Sequence, residues 1–222
     1  MGRIEELARR YRNHIITPWQ RNLSGPQKTI FIVYSKNDER KLRARLELFE
    51  IATIASGHKW ALFDFTKVFA RWMASLEYRD LYFEEPENLA IKLSGDFLKS
   101  AADELRNALT GENVDSDTVV AAYGVASLFG LTKVSLILKE VVGDVRGRLA
   151  LFFPGEYDNN NYRLLDARDG WSYLAIPITL NNGVNDALST VKLSSATPYC
   201  QNCLMMVWPL SMNRLHPERS KR

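Results

Sequence analysis

The chain lacks the features that mark secreted, membrane-spanning and disulfide-stapled proteins. Among its 222 residues there are only two cysteines, Cys200 and Cys203, too few and too close together to hold a secreted fold. No apolar run approaches the roughly 20 residues that a membrane-spanning helix needs, and the first residues are charged and amphipathic rather than a signal peptide. We therefore expect a cytoplasmic protein.

A strong excess of charge of one sign is also missing. The net charge is +3, and five of the 29 basic and two of the 26 acidic side chains lie beyond Leu180, which leaves 24 of each before it. A neutral body disfavours direct DNA binding, which needs a basic face. An N-terminal arginine cluster is interpreted as a solvated helix face, with a nucleic-acid site as the alternative. The cluster comprises Arg3, Arg9, Arg10, Arg12 and Arg21.

Motifs for nucleotide binding and catalysis are absent. The segment 24–29 ends in Lys-Thr like a phosphate-binding loop, but it precedes a predicted strand and lacks a glycine before Lys28. No GxGxxG follows a predicted strand. The sequence pairs neither His14 nor His58 with a nucleophile, so we predict no catalytic residues and no cofactor.

A CxxC pair near the C-terminus resembles part of a zinc site. Cys200 and Cys203 are followed by His216, but no fourth ligand stands at the expected spacing. Two reduced thiols without metal are the favoured interpretation. A metal shared with a second chain is the alternative.

Hydrophobic periodicity predicts strands that alternate with helices. The predicted strands are 29–34, 60–65, 118–123 and 149–153, and the predicted helices are 3–15, 38–56, one from 66, 88–109 with a break near 94–95, and 132–142. Asp38 is expected to cap the second helix and Gly57 to end it. This order predicts an α/β fold, a mostly parallel sheet flanked by helices on both faces.

The pattern changes after Leu180. From Asn181 onward Asn, Ser, Thr and Gly dominate, interrupted by the apolar patch 204–210 and followed by a basic end. We expect a single α/β domain over residues 1–180 and a weakly structured or divergent C-terminal tail over residues 181–222.

The stretch 148–178, RLALFFPGEYDNNNYRLLDARDGWSYLAIPI, is the most informative for function. Its first strand is predicted to end at Pro154-Gly155, and 158–161 to form a loop. Strands over 162–165 and 171–178, joined through Asp169-Gly170, predict an antiparallel C-terminal hairpin at the edge of the sheet.

Mixed charges, amides and aromatic rings alternate along this stretch. Arginine beside tyrosine and tryptophan is typical of interface anchors. The alternative is an Arg–Asp network that only holds two loops together. The candidate interaction surface comprises Tyr157, Asp158, Asn160, Tyr162, Arg163, Asp166, Arg168, Asp169 and Trp171.

Two carboxylates stand at the ends of predicted strands. Asp38 and Asp64 lie at the sheet edge where ligands of parallel α/β folds bind. They are the candidates for a nucleotide or nucleic-acid site, although helix capping explains Asp38 as well.

A family resemblance rests on long runs rather than on a short motif. The runs are PWQR at 18–21, VYSKNDERKLRARL at 33–46, FARWMASLEYRDLYFEEP at 69–86, YGVASLFG at 123–130 and, above all, FFPGEYDNNNYRLLDARDGWSYLAIPI. Over about residues 3–179 the chain resembles BrxB, an accessory component of bacterial BREX phage-defence systems. The tail from Asn181 does not look like this family.

The resemblance implies a small accessory protein encoded beside an ATPase, a site-specific DNA adenine methyltransferase and a phosphatase-superfamily protein. Such systems methylate host DNA and block phage DNA replication, and the family brings no catalytic residues to carry over. We therefore expect a non-enzymatic interaction subunit that bridges the phosphatase-like protein and the ATPase or methyltransferase. A nucleotide- or nucleic-acid-binding accessory protein is the alternative.

Overall fold

A parallel sheet forms the centre of the computed structural model, which describes residues 2–20, 22–165, 167 and 170–180. Its strands are β1 (Thr29–Tyr34), β2 (Lys59–Asp64), β3 (Thr118–Tyr123), β4 (Arg148–Asp158), β5 (Asn161–Leu164), β6 (Trp171–Ser172) and β7 (Ile176–Ile178). Five of them are parallel, in the order β2-β3-β4-β1-β7. The antiparallel strand β5 pairs with the last four residues of β4, and β6 pairs with β5. The predicted α/β class, with a mostly parallel sheet and an edge hairpin, is confirmed.

Helices cover both faces of this sheet. They are α1 (Arg3–Ile15), α2 (Glu39–Arg43), α3 (Glu47–Ala55), α4 (Val68–Ser75), α5 (Arg79–Glu84), α6 (Leu89–Lys92), α7 (Leu98–Thr110) and α8 (Val134–Val141). One hydrophobic core joins one sheet face to α1 and α3, and a second joins the other face to α4, α7 and α8. Within the described ranges no helix is long and apolar enough to cross a membrane.

The central strands are buried because both of their faces are apolar. Every residue of β1 is buried, and odd and even positions point to different cores: Phe31 and Val33 face one, Ile30 and Ile32 the other. Such two-sided burial is what a parallel strand between two helical layers requires. The topology places the carboxyl ends of β1 and β4 side by side, at the point where the connections leave for opposite faces.

Several predicted boundaries agree with the structure. The ranges of α1, β1 and β3 match the predictions, and the break near Ser94 is a π-helical turn over Leu93–Phe97. Gly57 ends α3 with a φ of +84°, a left-handed conformation that glycine adopts without strain.

The prediction of one helix over 38–56 is wrong. The chain forms a 3₁₀ turn and then two helices, α2 and α3, separated by a turn over 44–46. Asp38 makes no capping hydrogen bond; its buried carboxylate instead lies 3.3 Å from Arg3 Nε and 3.3 Å from Lys41 Nζ. Ser35 supplies the side-chain cap of the turn, by accepting from Asn37 N–H.

The predicted end of β4 at Pro154-Gly155 is also wrong. Pro154 is the last residue in register with β1, and its carbonyl accepts from Leu165 N–H at 2.9 Å. Gly155 starts the pairing with β5, and a Cβ there would lie 2.0 Å from the carbonyl oxygen of Arg163. The Pro-Gly pair therefore marks a change of strand partner rather than a turn.

The predicted strand over 171–178 is two strands. β6 pairs antiparallel with β5, whereas β7 crosses to the sheet edge and pairs parallel with β1. Pro177 lacks an N–H, which an edge strand tolerates. The predicted tail over 181–222, including Cys200 and Cys203, lies outside the described residues.

Candidate functional site

The β4–β5 hairpin is closed by a tight asparagine turn. Asn159 and Asn160 have φ values of +47° and +63°, between paired Asp158 and Asn161. Two left-handed residues in succession are the geometry of a type I′ turn, which matches the twist of a hairpin and which asparagine tolerates best after glycine. The Asn-rich tract is thus an ordered turn at the tip of the hairpin.

An aromatic cluster supports the inner side of the hairpin. Tyr162 is fully buried, with its ring centroid 4.4 Å from that of Phe31 and 4.7 Å from that of Tyr157. Its hydroxyl donates to the carbonyl oxygen of Ala175 at 3.3 Å. Six rings join this cluster. They are those of Phe31, Phe153, Tyr157, Tyr162, Trp171 and Tyr173.

This burial corrects the predicted interaction surface in one place. Tyr162 belongs to the core behind the hairpin, because none of its side chain reaches solvent. Tyr157 and Trp171 are half-buried, so each presents only part of a ring outward. The aromatic composition predicted contact residues, but alternation along β5 turns the Tyr162 ring toward the core.

The outward face of the hairpin carries mixed charges. Glu156, Asp158, Asn160 and Arg163 are all exposed. Glu156 and Arg163 are directly opposed across the strands, with 3.9 Å between carboxylate oxygen and guanidinium nitrogen. An exposed ion pair of this length contributes little stability, so these side chains are accessible to a partner.

Three predicted surface residues lie outside the described residues: Asp166, Arg168 and Asp169. The Arg–Asp network that sequence reasoning left as the alternative includes these three residues and stays a prediction. The other six predicted residues lie close together in the structure. Five of them are on the β4–β5 hairpin, and Trp171 is on β6, where it pairs with Tyr162 of β5.

A cleft of about 260 Å³ lies beside the hairpin, at the carboxyl ends of β1 and β4. Its lining includes Arg3, Ser35, Tyr157, Leu165 and Thr179. This is the position where doubly wound sheets bind ligands. Sequence reasoning missed the cleft because Arg3 and the hairpin are far apart in the chain.

The two strand-end carboxylates make separate contacts. Asp64 accepts from the backbone N–H of Thr66 at 2.8 Å and from Tyr123. Burial acts to raise the pKa of Asp64, but these hydrogen bonds and the charge of Arg43 outweigh it, so the pKa lies below its usual value. Because β3 and β4 separate β2 from β1, Asp64 is not brought together with Asp38.

A polar network covers the strand ends between Asp38 and Asp64. Arg43 donates to Glu39 at 2.7 Å and stacks over the Tyr123 ring at 5.7 Å, while the Tyr34 hydroxyl donates to the other Glu39 oxygen. Burial and the neighbouring carboxylate raise the pKa of Tyr34. Every group has a partner, so the network stabilises α2 on the sheet.

The N-terminal arginines are largely paired with carboxylates. Arg9 and Arg10 both donate to Glu6, and their hydrogen bonds lower the pKa of Glu6 to about 2. Arg10 also donates to the carbonyl of Thr179 at 2.5 Å. Arg21 lies outside the described residues. A phosphate would have to displace these partners, which supports the solvated-face interpretation of α1.

His14 and His58 contribute to packing at the other end of the sheet. The His58 ring stacks on Trp19 at 3.8 Å, and the guanidinium of buried Arg148 lies over the Trp19 ring at 4.6 Å. Burial, with Arg148 nearby, lowers the pKa of His14. In the part of the chain that the structure describes, no group of three or more His, Cys, Asp or Glu side chains could hold a metal.

No family model, curated protein or solved structure matches the chain.

Proposed function

We propose that the chain is a non-enzymatic interaction subunit of a bacterial BREX phage-defence complex. The resemblance of residues 3–179 to BrxB supports this assignment. The observation that carries it is the hairpin itself, where exposed mixed charges lie on a base of buried aromatic rings. A rigid, charged projection is suited to specific docking, since complementary charges select the partner and the base limits the entropy lost on binding.

The leading partners are the phosphatase-superfamily protein and the ATPase, with the DNA methyltransferase as a third. A protein that bridges two large subunits needs contact surfaces rather than catalytic residues. The hairpin tip and the strand β5 supply one such surface, reached by Asp158, Asn160 and Arg163.

Charge reversal at the hairpin tests this proposal without disturbing the core. Asp158→Arg with Arg163→Glu changes two exposed side chains, and a matched control reverses exposed Lys139 and Glu140 on α8. Co-purification of the full chain with the phosphatase-like or ATPase subunit should be lost in the hairpin variant and kept in the control. Assembly that is unaffected in the hairpin variant would remove this surface.

A second candidate function is binding of a nucleotide or another small anion in the cleft at β1 and β4. Its location favours it, together with Arg3 in its lining, whose guanidinium would exchange its pairing with Asp38 for the anion. A thermal-shift screen with nucleotides should then raise the melting temperature of the full chain, and Arg3→Ala should abolish the rise. Absence of any shift, and of salt-dependent DNA retention on filters, would remove this candidate.

A further inference from the structure

A helical arm extends from the domain between α4 and the π-helical turn. We define the acidic arm as residues 77–91, which include α5 and all of α6 except its last residue, Lys92, whose ammonium is paired with Asp96 at 2.7 Å. Within it only Tyr82 and Leu89 are half-buried, and all the other residues are exposed. These two side chains pack against the core and attach the arm to the domain.

The acidic arm exposes more large apolar side chains than any other short segment described. Tyr78, Leu81, Phe83 and Ile91 are 63%, 58%, 70% and 81% exposed. An open cleft of about 470 Å³ lies along α5, with Leu81 and Tyr82 in its lining. Clustered exposed apolar side chains with a polar rim are characteristic of interaction sites. Helices this short also gain most of their stability from packing, which the arm has on only one side.

The charge of the arm restricts what can cover it. Five of its side chains are acidic, and its one basic residue is Arg79, which lies 3.5 Å from the adjacent Asp80. The acidic residues are Glu77, Asp80, Glu84, Glu85 and Glu87. Nucleic acid and anionic lipid would be repelled, and so would the same arm of a second copy.

We infer that the acidic arm is a docking site for a basic amphipathic helix of a partner protein. The apolar face of that helix packs on Tyr78 and Leu81, which line the cleft along α5, and its lysines or arginines meet Glu84 and Glu85 in the same lining. Helix-in-groove recognition uses this division, in which apolar anchors give affinity and charges give orientation and rate. The site is separate from the hairpin, and the inference stands without the proposed function.

The test uses the full chain and three synthetic helical peptides. The first peptide is amphipathic, built from leucine and lysine. The second has the same composition with scrambled order, so that it lacks an apolar face, and the third replaces lysine by glutamate. Fluorescence anisotropy should detect binding of the first peptide at least about tenfold tighter than of the other two, with an affinity that falls as salt rises.

Two variants locate the binding on the arm. Tyr78→Ser with Leu81→Ser removes apolar anchors, and Glu84→Gln with Glu85→Gln removes charge. The matched control is Ile51→Ser with Ile54→Ser on α3, where both isoleucines are also more than half exposed. We expect at least a tenfold loss of peptide affinity in each arm variant and less than a twofold change in the control, with unchanged melting temperatures.

Three results would overturn the inference. Equal binding of the scrambled peptide would show that the arm recognises only the charge of the peptide and not its apolar face. An equal loss in the α3 control would show that binding is not on the arm. Concentration-dependent dimerisation of the full chain that Tyr78→Ser with Leu81→Ser abolishes would make a second copy the occupant.

Discussion

The β4–β5 hairpin and the acidic arm both project from the domain, but they expose opposite chemistry. In the hairpin the aromatic rings lie beneath the strands and the charges face solvent. In the arm, Phe83 and Ile91 themselves face solvent. Aromatic side chains therefore have two different roles in this chain. Where strand alternation turns the rings toward the core, they stabilise the fold. Where a short helix packs on the domain through one face only, they stay exposed and available to a partner.

The largest expected effect separates these two roles. Tyr162→Ala should lower the free energy of unfolding by about 3–5 kcal/mol, because it empties a fully buried site among aromatic rings. Phe83→Ala in the arm should change it by no more than about 0.5 kcal/mol. Urea unfolding of both variants measures the difference. Similar losses at the two positions would break the comparison.

Tyr162→Phe is the matched control for the hairpin. It keeps the ring and loses only the hydrogen bond to Ala175, so about 1 kcal/mol should be lost. A loss as large as that of the alanine variant would mean that the hydroxyl, rather than ring packing, holds the hairpin to the core.

A smaller effect is expected at the hairpin turn. Asn160 has a φ of +63°, a conformation in which alanine costs about 1–2 kcal/mol and glycine costs nothing. Asn160→Ala should therefore lower the free energy of unfolding by about 1 kcal/mol, and Asn160→Gly should leave it unchanged or raise it. Urea unfolding checks this order. The reverse order would show that the asparagine side chain, rather than its backbone, fixes the turn.

The smallest effect is expected for the charged side chains of α1, which pair with one another, whereas the carboxylates of the arm are exposed. The pKa of Glu6 is lowered to about 2 in the folded chain, so its contribution is present above the unfolded value near 4.5 and is lost as pH falls through 2. Glu6→Gln should be less stable than the parent near neutral pH. The two stabilities should converge on acidification, which thermal unfolding at several pH values measures. A constant difference would contradict this pairing.

Sequence patterns predicted the fold where both local signals and burial agree. The β-branched run 29–34 and the apolar spacing of α1 need no distant partner to be interpreted. The errors occurred where a strand or helix that is distant in the sequence determines the local structure. Pro154-Gly155 has the composition of a turn, but the neighbouring β5 makes it a change of partner.

The candidate site was predictable only in part. The Asn-rich turn and the exposed charges follow from composition. The burial of Tyr162 depends on Phe31, which is more than a hundred residues away and carries no local sign of the contact. The apolar exposure of the arm was missed because residues 78–87 were interpreted as an acidic connection, and composition alone does not tell an exposed leucine or phenylalanine from a buried one.

The proposed bridging role is tested by mixing the purified full chain with the phosphatase-superfamily protein and the ATPase, and by measuring the mass of the resulting species in solution. We expect a ternary complex that contains all three proteins and that does not form when the chain is left out. A chain that binds neither subunit, or subunits that associate equally well without it, would rule out a bridging role.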